Sequence, residues 1–147
     1  MKAATKAAMA GVLGGLIIAQ AVSVRRDNPS PNGVLSAPPD IELLLSGACN
    51  DCHSNATRWP WYGRIAPVSW LIAQHVAAGR KQLNFSEWDT YYPATRRRKL
   101  QWIARVVREQ KMPPWSYRLM HPAARLTGAL PGAAGTMGAS RILNRIL

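Results

Sequence analysis

Cys49-Asn50-Asp51-Cys52-His53 carries the only two cysteines of a 147-residue chain, and its reading decides what the rest must fold around. Two thiols three positions apart cannot close a long loop, so they form a site and not a scaffold. Three chemistries use that spacing: a redox dithiol, half of a zinc site, or attachment of a haem whose iron is ligated by the adjacent imidazole. Zinc needs two more Cys or His at ligand spacing, and only His75 and His121 remain, far apart in the chain. A thioredoxin-type dithiol follows a strand in a βαβ unit, and no alternating strand pattern of useful length occurs here. Haem attachment has a mechanical basis: two sulfurs on one turn reach vinyl groups on neighbouring pyrroles while the imidazole points under the ring. One covalently held haem c is therefore expected, attached through Cys49 and Cys52 and ligated by His53.

Outward from the motif the pattern is helical. Asp40 is the expected N-cap of a short helix through Ile41, Leu43, Leu44 and Leu45 that ends at Gly47. Trp59-Pro60-Trp61-Tyr62 reads as a loop packed against something flat. A second helix is expected from Pro67 to about Gln82, with Val68, Leu71, Ile72, His75 and Val76 on its apolar face. Asn84–Pro93 reads as irregular structure pinned by Phe85, Trp88, Tyr91 and Tyr92. The clearest helix spans Ala94–Lys111, with Leu100, Ile103 and Val107 facing inward, arginines facing out, and Met112-Pro113-Pro114 ending it. The fold class is all-α: a small cytochrome c-like helical domain after an N-terminal membrane helix.

A second axial ligand is expected from Met112, because Pro113-Pro114 holds the chain rigid and extended there. Met120, His121 and His75 are the alternatives. His75, on the apolar helix face, reads more readily as a hydrogen-bonded core histidine. Methionine ligation would raise the potential relative to bis-histidine.

The N-terminus addresses the compartment. Lys2 and Lys6 precede an uncharged run from Ala7 to Val24, closed by Arg25 and Arg26. The run is short for a spanning helix and long for a signal-peptide core. Ala19-Gln20-Ala21 resembles a cleavage site, but the apolar run passes through it, so an uncleaved anchor is favoured over a soluble periplasmic product. Because c-type attachment in bacteria takes place on the outer side of the inner membrane, the domain is expected in the periplasm. The chain divides into an anchor over 1–26, a linker over 27–39, a haem-binding domain over 40–126 and a low-order tail over 127–147.

Charge narrows the partners. The 19 Lys and Arg against 7 Asp and Glu suit an anionic membrane face, an acidic protein or nucleic acid, and export argues against the last. Arg96, Arg97, Arg98, Arg105 and Arg108 form a face that would dock an acidic redox partner. No paired carboxylates, Ser/His/Asp set or phosphate loop marks an enzyme, so one-electron transfer is the expected role. The alternative is a haem enzyme or gas sensor with an open sixth iron position. The sequon Asn55-Ala56-Thr57 lies inside the motif and reads as incidental.

The run from Cys49 to Asn55, then Thr57, Trp59-Pro60-Trp61-Tyr62, Ile65 to Leu71, His75-Val76, Gly79-Arg80, Leu83 to Ser86, Trp88 and Met112-Pro113-Pro114, resembles the bacterial haem-binding domain family. The likeness spans about Val12 to Leu126 and continues through His121-Pro122 and Ala124-Arg125-Leu126. It implies haem attachment at Cys49 and Cys52, proximal ligation by His53, an N-terminal anchor, and the family's Met-Pro-Pro at Met112. The chain departs after Leu126, where the family continues into an amphipathic helix and this sequence turns Gly-rich.

Overall fold

A computed structural model describes residues 2–126, so the expected low-order tail over 127–147 lies outside the described residues. Among the described residues there are six α-helices, three 3-10 turns and no strand: α1 (Lys2–Ala19), α2 (Pro39–Ala48), α3 (Asn50–His53), α4 (Val68–Gln82), α5 (Pro93–Arg108) and α6 (Trp115–Met120), with 3-10 turns at Trp61–Arg64, Phe85–Thr90 and Pro122–Ala124. The all-α expectation holds. α1 buries none of its 18 residues against the protein and is long and apolar enough to cross a membrane. At 1.5 Å per residue it extends about 27 Å, close to a hydrocarbon core of about 30 Å.

α2 starts one residue before the expected cap. Pro38 stands at the N-cap, Pro39 opens the helix with its φ already set, and Asp40 and Glu42 place carboxylates in the first turn against the helix dipole. Ile41, 1% exposed, pins the helix to the core, whereas Leu43 points outward at 71%. The helix passes through Gly47 and bends at Cys49, whose N–H still bonds to the Leu45 carbonyl and whose own carbonyl accepts from Cys52 and His53. The two thiols and the imidazole thus sit on one short turn.

α4 presents a different face from the expected one. Ser69 and Val76 are buried, with Ile72 and Gly79 in the same stripe, while Val68 and Leu71 are 42% and 50% exposed and His75 is exposed. The core-histidine reading of His75 is therefore corrected. Gly79 explains the rotation: a Cβ there would collide with the Cys52 carbonyl, so α3 packs directly on α4 backbone at the one residue that admits it.

The expected linker is not a free tether. Leu35 belongs to the central cluster with Leu83, Phe85, Trp88 and Leu100, against which Leu45, Cys49, Tyr91 and Ile103 pack. Asn32 N–H bonds to Ser86 O at 2.7 Å, Leu35 N–H to Phe85 O at 2.9 Å, and Trp88 N–H to Gly33 O at 2.7 Å. Gly33 adopts φ 92° with Asp89 against it, a position that excludes a side chain on both counts. Proline and asparagine here mark a strap laid over the domain, with its backbone groups spent on the 85–88 turn.

α5 buries Leu100, Ala104 and Val106 and stops at Arg108, before Met112. Its end is a Schellman arrangement: Gln110 takes φ 55° and bonds to Val107 O, and Lys111 N–H bonds to Val106 O. α6, which follows Pro114, falls where the sequence suggested only a proline loop.

Candidate functional site

The site grows from the bend at Cys49. His53 is half-buried, and its Nδ1 lies 3.0 Å from the Gly79 carbonyl and 3.1 Å from the Leu83 carbonyl. Two carbonyl acceptors require that Nδ1 carry the proton and donate it, which leaves the Nε2 lone pair free. Nε2 has no hydrogen-bond partner among the described residues. Burial holds the imidazole below its usual range, against the opposing pull of the two carbonyls, so it is neutral and ready as a donor. Phe85 stands edge-on to it with ring centres 6.4 Å apart.

Cys49 and Cys52 are both unpaired. Burial, and secondarily the neighbouring Cys52, pushes the Cys49 thiol up to about 12. Burial and then Asp51 push Cys52 up to about 11, against Arg80. These are protonated thiols, far from the low-pKa thiolate of a redox dithiol. No group of three or more His, Cys, Asp or Glu gathers to hold a metal among the described residues, so the donor set does not suit zinc.

Asp51, between the cysteines, is 7% exposed and fully engaged. Its Oδ1 accepts from the Arg58 backbone N–H at 3.1 Å and from Arg58 Nε at 3.0 Å, and its Oδ2 accepts from Arg58 Nη2 at 3.2 Å and from the Tyr117 hydroxyl at 2.7 Å. Burial pushes this carboxyl up, but the Arg58 and Tyr117 hydrogen bonds together outweigh it and leave it below the usual carboxylate range. The Tyr117 bond brings α6 to the motif. Tyr117 in turn stacks on His121, with ring centres 4.0 Å apart and planes 13° apart, and His121 Nδ1 lies 3.1 Å from the Tyr117 carbonyl.

Behind the motif a polar network replaces apolar packing. Asn84 Nδ2 donates to Asn55 Oδ1 at 2.8 Å, the Asn55 N–H donates to Ser86 Oγ at 2.9 Å, and the Ser86 N–H donates to Asn84 Oδ1 at 3.0 Å. All three residues are buried, which removes Asn55 as a glycan acceptor. Arg80 closes the network by donating to Ser54 O, Asp27 O, Asn28 Oδ1 and Thr57 Oγ1 at 2.8 to 3.1 Å. Sequence reasoning assigned no role to Asp51, Gly79, Arg80 or Asn84. All four fall within the stretches that carry the family resemblance, which marked the positions without giving them a role.

The elements flanking the motif expose apolar side chains: Leu43 on α2, Trp115, Leu119 and Met120 on α6, and Met112 before it, at 36% to 73% exposure. α2 runs directly into Cys49 and α6 is tied to the motif through Tyr117 and Asp51, so these exposed apolar side chains lie on elements joined to the two thiols and the imidazole. Exposed apolar surface of this kind suits a flat apolar ring. Met112 and Met120 hold their thioethers outside the core at 36% and 55% exposure, so neither is the core filler that a helix-end methionine usually is. His75, in the middle of α4, is exposed and lacks a hydrogen bond among the described residues.

Residues 14–130 match the family model described as a haem-binding domain. No curated protein and no solved structure matches the chain.

Proposed function

The chain belongs to the haem-binding domain family, and on that premise we propose that it is a membrane-anchored c-type haem protein that passes single electrons on the periplasmic side of a bacterial inner membrane. The observation that carries this reading is the turn at Cys49–His53, where two unpaired thiols stand beside an imidazole whose Nδ1 is committed to the Gly79 and Leu83 carbonyls. Haem supplies a one-electron iron couple when bound. Cys49 and Cys52 would hold the group through two thioethers, each the net addition of S–H across one vinyl group and so needing no oxidant, and His53 would offer Nε2 to its metal. Two carbonyls on a single ring nitrogen fix the tautomer and the ring plane, which keeps ligand reorganisation small when the charge on the metal changes.

Met112 would supply the second protein donor to the metal through its thioether, and α1 would be the anchor. The partner surface is on α5, where Arg97, Arg98, Arg105 and Arg108 are exposed and share one side of the helix by their spacing. Arg96 is not part of it: its guanidinium is spent on the Tyr91 and Asp89 carbonyls and on the Asp89 carboxylate at 3.4 Å. Four exposed guanidinium groups on one face, with the Glu109 carboxylate beside Arg105 and Arg108, suit an acidic redox protein, with salt-sensitive association.

The optical spectrum of the matured protein tests the reading. Electron transfer predicts a low-spin, six-coordinate ferric haem with the weak red band of methionine sulfur on iron, lost in Met112→Ala while the haem stays attached. A high-spin ferric spectrum in the unaltered protein contradicts it and favours a haem enzyme or gas sensor.

A further inference from the structure

Polarity in α4 runs along its axis as well as around it. The turn before the helix and its first turn expose Trp61 at 74%, Ile65 at 48%, Val68 at 42%, Trp70 at 36% and Leu71 at 50%. Beyond that turn the outward positions are Gln74, His75, Ala77, Ala78, Lys81 and Gln82, with no large apolar side chain among them. A helix that is apolar around one side buries that side on protein. A helix that is apolar at one end marks a boundary plane crossing its axis, and Trp at such a boundary is the usual residue of a water–lipid interface.

The end of α1 arrives at this same place. Gln20 Nε2 donates to Ala66 O at 3.2 Å, and Gln20 Oε1 accepts from the Ala66 N–H at 3.0 Å. Trp70 Nε1 donates to Val22 O at 3.3 Å, and Arg26 Nη1 donates to Gly63 O at 3.2 Å. The apolar helix therefore leaves the domain through the midst of the exposed side chains. Arg26 and Arg64 beside them are exposed cations that suit anionic headgroups.

We propose that Trp61, Ile65, Val68, Trp70 and Leu71 form a seat on the lipid surface from which α1 emerges, so that the domain stands on the bilayer on its α4 N-terminus. The proposal rests on the reading of α1 as a membrane anchor. Its consequence is a fixed height for the site. His53 is held by the carbonyls of Gly79 and Leu83 at the opposite end of α4, and the eleven residue steps from Val68 to Gly79 span about 16 Å of helix. A free linker over 27–39 would instead let the domain roam roughly 20 Å. The strap and the seat together replace that roaming with one orientation, which presents a redox partner in the membrane or above it with a constant distance.

The test uses the full-length haem-loaded protein in liposomes containing a phospholipid with a diazirine near the glycerol end of its acyl chain. After irradiation, labelled peptides are mapped by mass spectrometry. The seat predicts label on Trp61–Leu71 as well as on α1, severalfold above label on Tyr92. Tyr92 is more exposed than any seat residue, at 81%, but it follows Tyr91, whose hydroxyl accepts from the Asn84 N–H past the far end of α4. Label on α1 alone overturns the seat and leaves the anchor standing. Equal label on Tyr92 and on Trp61–Leu71 overturns the seat as well, since the domain then touches lipid in no fixed orientation. Label on neither α1 nor Trp61–Leu71 overturns the anchor and the seat with it.

Discussion

The Gly79 carbonyl accepts from Nδ1 of His53 at 3.0 Å while the Gly79 Cα lies against the Cys52 carbonyl, so one glycine both orients the imidazole and sets the spacing of α3 on α4. A methyl group at this position gains about 1 kcal/mol of helix propensity. It meets a backbone carbonyl that can yield only by moving the cysteine turn, and overpacking of that kind costs about 1–3 kcal/mol or more. Gly79→Ala is expected to lower stability by up to about 2 kcal/mol net and to reduce haem incorporation, measured by urea unfolding and by pyridine haemochrome yield. Unchanged stability with full haem content would show that the close approach is not needed.

Asp51→Ala removes the acceptor of four hydrogen bonds in a nearly buried position. It strands the Arg58 N–H and the Tyr117 hydroxyl, and unsatisfied groups of this sort cost about 1–3 kcal/mol. Arg58→Ala is expected to cost less, about 1 kcal/mol, because that side chain is 65% exposed and its pairing is largely screened by water. Thermal melts of the two variants should rank in that order, and the reverse order would contradict the role given to Tyr117.

Arg80 reaches four acceptors with three nitrogens. Lysine offers one nitrogen and no planar fork, so Arg80→Lys is expected to release the strap almost as fully as Arg80→Ala. Limited proteolysis reads this directly: cleavage within 27–36 should rise in both variants. Full protection in Arg80→Lys would show that charge alone holds the segment.

Gln110 sits at φ 55°, where an L side chain costs roughly 1–2 kcal/mol and glycine costs almost nothing. Gln110→Gly is therefore expected to stabilise the protein by about 1 kcal/mol, seen as a rise in melting temperature, without altering the haem spectrum. A fall in melting temperature would contradict the Schellman geometry at the end of α5.

Much of this was legible in the sequence because it was written in strong local signals. Five contiguous residues announced the cysteine turn, and the 3.6-residue period of α5 with its arginine face gave the longest domain helix. Other features depended on contacts between distant residues. The α4 face was misjudged because Leu71 and His75 fit a helical apolar stripe as well as Ile72 and Val76 do, and only the approach of Cys52 to Gly79 selects between them. The proline-rich segment read as a tether because its bonds to Phe85, Ser86, Thr57 and Arg80 leave no periodic trace. Asp51 was a spacer in the motif until Arg58 and Tyr117, seven and 66 residues away, converged on it.

Covalent attachment of haem at Cys49 and Cys52 is tested most directly by mass spectrometry of the proteolytic peptide that spans Cys49–His53, taken from protein matured with the c-type machinery and extracted with acidified acetone. The prediction is that the peptide carries the mass of one intact haem, with neither cysteine open to alkylation. Recovery of the unmodified peptide with both thiols alkylated, and all haem in the acetone, would contradict it.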